Sequence, residues 1–117
     1  MDPWKAQRVS EAIREELAEI VSFELSDPRL AIVDINSVTL LPNRRDASVC
    51  VGLHGDETEQ HHALEALEHA RHYLRHELAR RLRLRRVPEL HFAADGGDGV
   101  PARVEALLKR AKKKSAR

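Results

Sequence analysis

The chemistry this 117-residue chain could do begins with arginine, and arginine chemistry is the recognition of anions. Between Arg71 and Arg86 stand Arg71, Arg75, Arg80, Arg81, Arg83, Arg85 and Arg86, with Glu77 as the lone acid. A guanidinium is permanently charged, and its planar fork matches phosphate. A run this dense repels itself in any fold, so it is best understood as complementing a polyanion, of which phosphate is the commonest in a cell. A second basic block, Lys112, Lys113 and Lys114 with its neighbours, closes the chain, yet the net charge is only +1. Cations concentrated in two blocks of a nearly neutral chain suit contact with an anion at one surface.

The competing reading makes the arginines the solvated face of an amphipathic helix. At about 100° per residue, Leu64, Leu67, Ala70, Leu74, Leu78 and Leu82 share one side, and His69, His72, His76, Arg80 and Arg83 line the opposite side. A cationic and imidazole stripe therefore faces out. Arg71 falls within the leucine stripe, where an unpaired charge is expensive to bury. A helix break near Ala70, Arg71 and His72 would release it.

Other chemistries fail on residue type or spacing. Cys50 is the single cysteine, which excludes an internal disulfide and any cluster of thiolates. Glu65, His69, His72 and His76 have ligand spacing on a helix, but arginines flank them and would repel a divalent ion, so no metal and no other cofactor is expected. His76-Glu77 is followed by Arg80 where a zinc protease needs a second histidine. A Gly-x-Ser-x-Gly elbow and a phosphate loop are both missing. Nothing argues for an enzyme. No apolar run approaches a membrane span and the first residues do not form a signal peptide, so the expectation is a cytoplasmic protein without membrane contact.

Positioning these residues requires a modest fold. Asp2-Pro3 opens a long amphipathic helix carrying Val9, Ile13, Leu17, Ile20, Val21 and Leu25 at spacings of three and four, which Asp27-Pro28 ends. Residues 32–41 favour strand, but the apolar phase shifts between Ile35 and Val38; one extra residue at Asn36-Ser37, a β-bulge, repairs it. A turn at residues 42–46 leads into a second strand alternating through Ala47, Val49, Val51 and Leu53. The helical region after Gly55-Asp56 runs to about Leu84, and Pro88 stops it. Leu90, Phe92 and Ala94 form a third strand. Residues 96–99 make a glycine-rich link to a short helix with Val104, Leu107 and Leu108. The expected architecture is α+β, in the order α-β-β-α-kink-α-β, with helices on a three-stranded sheet. Residues 1–111 form one domain and 112–117 a flexible basic tail.

Nearly the whole chain resembles the ribosome-binding factor A family. The residues that carry the resemblance are 8–17, Glu24-Leu25, Asp27-Pro28-Arg29-Leu30, Pro42 with Ala47, Val49 and Val51, Leu53 with Gly55-Asp56, and 82–92. The resemblance implies a KH-like fold of the type II variant kind, with Ala-x-Gly at the helix kink; Ala70-Arg71-His72 stands there, with His72 replacing the glycine. It also implies a monomeric, non-enzymatic factor that binds the precursor of the 30S subunit, contacts 16S ribosomal RNA and assists late processing of its 5′ end, notably in the cold. The RNA contacts then fall to the seven arginines and Lys112, Lys113 and Lys114. Four aromatic residues, Trp4, Phe23, Tyr73 and Phe92, are too few for a base-stacking platform, so phosphate and shape should dominate. A DNA-binding domain would also use an arginine-rich helix, but this order of elements matches no common major-groove module, and DNA is not expected as a partner. A protein-docking module would use the same stripe without RNA.

Overall fold

The computed structural model describes residues 3–95. The cap at Asp2, the glycine-rich link, the last helix and the lysine tail expected from the sequence lie outside them. Helix α1 (Pro3–Glu19) passes into a π turn (Ile20–Glu24), and a 3-10 turn (Pro28–Ile32) leads to strand β1 (Val33–Leu40). Strand β2 (Asp46–Leu53), helix α2 (Glu57–Leu82) and strand β3 (Glu89–Ala94) follow. The sheet order is β1-β2-β3, with β2 antiparallel to β1 and parallel to β3. A parallel neighbour needs a crossover, and α2 supplies it.

The core lies between one face of this sheet and the two helices. Val33, Ile35 and Val38 of β1, Ala47, Val49 and Val51 of β2, and Leu90 and Phe92 of β3 pack against Ile13 and Leu17 of α1 and Leu67, Leu74 and Leu78 of α2. Each fully buried leucine contributes roughly 1.5–3 kcal/mol of apolar burial. The expected bulge is present. The ladder runs Val33↔Leu53 and Ile35↔Val51, then resumes at Ser37↔Cys50, leaving Asn36 over. Val38 is thereby returned to the core side. The bulged Asn36 donates to Asp95 Oδ2 at 2.9 Å, and Gly52 makes room for it, since a Cβ there would stand 2.9 Å from Asn36 Nδ2.

Two expectations about helices require correction. The first helix is not regular to its end, because its last turn widens to i→i+5 bonding at Ile20–Glu24 and closes with Leu25 N–H on Ile20 O at 3.1 Å. The second helix, conversely, is not broken. It continues through Ala70, Arg71 and His72 as one α-helix from an Asp56/Glu59 capping box to Leu82. It contains neither glycine nor proline to interrupt it. Arg71 needs no release because it sits at the edge of the buried stripe, 36 % exposed, with Nη1 on Glu68 Oε2 at 3.3 Å. Its long stem lies along the apolar surface while its head stays wet.

Candidate nucleic-acid interface

The arginines of α2 and the loop after it divide into two groups with opposite surroundings. Arg81 is directed inward, 17 % exposed, and its guanidinium meets Glu16 at 3.1 Å, Glu19 at 3.9 Å and Glu24. The bond to Glu16 and the neighbouring carboxylates hold it above its ordinary, already high, pKa. It straps α2 to α1 and the π turn. Arg75 is also committed: Nη2 donates to the Val87 carbonyl at 3.0 Å and Nη1 pairs with Glu89 at 3.0 Å, which joins α2 to the start of β3. Arg80 pairs with Glu77 at 2.7 Å and holds that buried carboxyl below its usual range. Tyr73 donates to the same carboxylate at 3.3 Å.

Beyond Leu82 the situation reverses. Arg83 takes a left-handed conformation, φ 51°, as the helix ends, and Arg83, Arg85 and Arg86 are exposed without a carboxylate partner among the described residues. Arg85 and Arg86 line the same two clefts as Arg44 and Arg45, which the sequence placed only in a turn. A backbone network builds that turn. Asn43 Oδ1 accepts from the Arg45 and Asp46 amides at 2.9 and 3.2 Å, while Asn43 Nδ2 donates to Asp46 Oδ2 at 2.8 Å. Arg44, also left-handed at φ 61°, donates its amide to Leu41 O at 2.9 Å. The Arg45 carbonyl accepts the Glu89 amide at 2.8 Å. Beneath the turn, the buried His91 ring lies 2.7 Å from Asp46 Oδ1. Such fixing orders two backbones but leaves the four guanidinium groups without a carboxylate partner among the described residues.

These four arginines form a ridge between two clefts. One, of about 510 Å³, is lined by His72, Arg75, His76, Ala79, Val87 and Glu89 besides the ridge. The other, of about 740 Å³, is walled by Val9, Leu40, Asn43, Leu84 and Pro88. Of the residues expected to contact RNA, the structure gathers Arg75, Arg85 and Arg86 at the first cleft. Arg81, Arg71 and Arg80 are engaged elsewhere, and Lys112, Lys113 and Lys114 lie outside the described residues. Arg44-Arg45 was the available signal for the missed half: adjacent cations at a hairpin tip whose second strand leads toward β3. The exposed aromatics Trp4, Phe23 and Tyr73 line neither cleft. Among the described residues no group of three or more His, Cys, Asp or Glu is placed to hold a metal ion, and no helix is long and apolar enough to cross a membrane.

Helices on one face of a mixed three-stranded sheet, in the order α-β-β-α-β, make this a KH-like α+β domain. Comparison with known proteins narrows the class. The family model for ribosome-binding factor A matches residues 5–108. The protein of that name from Solibacter usitatus is 51 % identical over 117 residues, all of this chain and 95 % of the relative; the one from Koribacter versatilis is 45 % identical over 108 residues, 92 % of this chain and 88 % of the relative. Among solved structures, the ribosome-binding factor A crystal structure from Thermus thermophilus aligns with TM-score 0.68 at 34 % identity, over 76 % of this chain and 94 % of that one. A Thermus thermophilus homology model fitted into the cryo-EM map of a 30S complex aligns at 0.66 with 32 % identity, over 80 % and 99 %. The chain belongs to the ribosome-binding factor A family.

Proposed function

We propose that this chain binds the immature small ribosomal subunit in the cytoplasm, contacts 16S ribosomal RNA chiefly through Arg44, Arg45, Arg85 and Arg86, and assists late maturation of the RNA 5′ end as a monomer without catalysing a reaction. The observation that carries the reading is the ridge itself. Four arginines held side by side on ordered loops, with no carboxylate partner among the described residues, repel one another until an anion arrives. The fit of the Thermus relative into a 30S complex supports ribosomal RNA as the source of that anion. His72 and His76 border the ridge, and the exposed Arg83 and the Lys112, Lys113 and Lys114 block are proposed to add less selective attraction to phosphate. Arg75 and Arg81 hold the surface in place and are not assigned to RNA.

Co-sedimentation with immature and mature 30S particles tests the role: preferential recovery with the immature particles is expected, and equal recovery with both would count against it. The RNA assignment is tested separately by comparing a small-subunit RNA fragment with duplex DNA of equal length at fixed salt. Tighter binding to RNA is expected. Equal or tighter binding to DNA would favour a DNA-binding domain, and loss of all salt-dependent binding would favour a protein-docking surface.

A further inference from the structure

We infer that the cleft walled by Val9, Leu40, Leu84 and Pro88 seats one unpaired nucleotide of RNA, with its base against this apolar wall and its phosphate on the arginine ridge. The inference rests on the RNA-binding reading above and specifies the form of RNA that the site takes. A phosphate track alone would need only the ridge and the first cleft, whose further lining includes His72, Arg75, His76 and Glu89. On the other side of the same four arginines, however, lies a concavity of about 740 Å³ whose walls are largely aliphatic. That size suits a small ligand. An apolar wall against a rim of guanidinium groups with no carboxylate partner among the described residues matches something with a flat, weakly polar body and an attached negative charge, as a nucleotide has once its base leaves the stack. Guanidinium planes also stack on bases, which lets Arg44, Arg45, Arg85 and Arg86 serve both ends of that ligand.

The walls are fixed in advance, so little ordering is required on binding. Ser10 Oγ accepts the Leu40 amide at 3.1 Å and donates to Ala6 O at 2.9 Å, locking α1 to the end of β1 beside Val9. The opposite wall is tied by the Glu89 amide on Arg45 O. Charge complementarity selects the occupant. The cleft also predicts what it ignores. Asn43 is the one uncharged polar side chain on its wall, and its carbonyl and amide are already bonded to Arg45, Asp46 and the Asp46 carboxylate. Base identity should therefore matter little.

The test compares three synthetic RNA hairpins binding to the full chain at fixed salt: one with a single bulged nucleotide, one abasic at that bulge, and one fully paired. The bulged hairpin should bind about fivefold or more tightly than the abasic one, at the lower end of what base stacking supplies, and changing the bulged base should alter affinity by less than about threefold. Leu84→Asn, checked for an unchanged melting profile, should bring bulged and abasic hairpins within about twofold while leaving the salt dependence intact. Equal binding of bulged and abasic RNA by the unmodified protein, with steep salt dependence retained, would overturn the nucleotide cleft and leave the RNA-binding reading standing. If none of the hairpins bound more tightly than duplex DNA of the same length, the RNA-binding reading itself would fail. The hairpin comparison uses the native chain, so it decides the question even if Leu84→Asn unfolds.

Discussion

Arg81 and Arg85 lie four residues apart and do opposite work. Arg81 is drawn into a ring of Glu16, Glu19 and Glu24, so its charge is spent inside the molecule. Arg85 shares a ridge with Arg44, Arg45 and Arg86, none of which has a carboxylate partner among the described residues. What separates them is the end of the helix. Up to Leu82 the helical period turns arginines toward acids on α1, the π turn, β3 or α2 itself; past the left-handed Arg83 the chain faces the hairpin turn, which offers two further cations. Density of charge therefore does not single out a candidate surface; what marks Arg85 is a charge with no carboxylate partner among the described residues.

The sharpest way to break this contrast is to remove the ridge. Replacing Arg44, Arg45, Arg85 and Arg86 with alanine should weaken binding to a small-subunit RNA fragment by about 100-fold and reduce the slope of log affinity against log salt by about 3. The melting temperature should hold or rise, since mutual repulsion is relieved. A slope that survives in the folded variant would move the interface elsewhere. Next in size, His91→Ala removes the buried partner of Asp46 beneath the turn and should cost about 2 kcal/mol in urea unfolding. It should weaken RNA binding too, because the turn that presents Arg44 and Arg45 loses its support.

Arg81→Met tests the other side of the comparison. It should lower the melting midpoint by a few degrees and leave the salt slope of RNA binding unchanged; a reduced slope would mean that Arg81 reaches phosphate after all. The smallest effect concerns acid. Glu77 and Asp27 are held below the usual carboxylate range, first by their bonds to Arg80 and Arg29. A folded pKa below the unfolded one adds stability that is complete above the unfolded value, near 4 for these groups, and is lost as pH falls through the folded value. Melting midpoints should thus be level from neutral pH to about 5 and decline below about 4.5, with Glu77→Gln showing a shallower decline. An equal decline in Glu77→Gln would remove this pair from the account.

Local rules carried the sequence reading furthest. The bulge at Asn36 was legible because apolar phase in a strand is a count of residues, and the ladder slips where the count does. The exposure of His72, His76 and Arg80 follows from helical spacing in the same way, whereas Arg83 is exposed because it stands past the helix end. The expected break at Ala70–His72 rests on Arg71 and on the Ala-x-Gly kink that the family resemblance implies; partial exposure and Glu68 one turn earlier remove the conflict at Arg71, and no glycine stands at the kink position. The division of the arginines was not legible. Glu16 and Arg81 are 65 positions apart, and nothing local to either announces the other. The ridge was half visible for the same reason, since Arg44-Arg45 reaches Arg85-Arg86 only through the parallel pairing of β2 with β3.

That pairing has a consequence for the order in which the molecule assembles. Asp46 and Glu89 are neighbours across the ladder, yet the rest of β2 and all of α2 separate them along the chain. A contact of such long sequence range forms only after the intervening loop has closed, and so belongs late in folding. Until β3 docks, Arg44-Arg45 and Arg85-Arg86 are parts of two unrelated loops, and a half-folded chain has no ridge to offer. If RNA binds the finished arrangement, as proposed, it draws the population toward it by mass action. Occupancy of the ridge would thereby report completed folding.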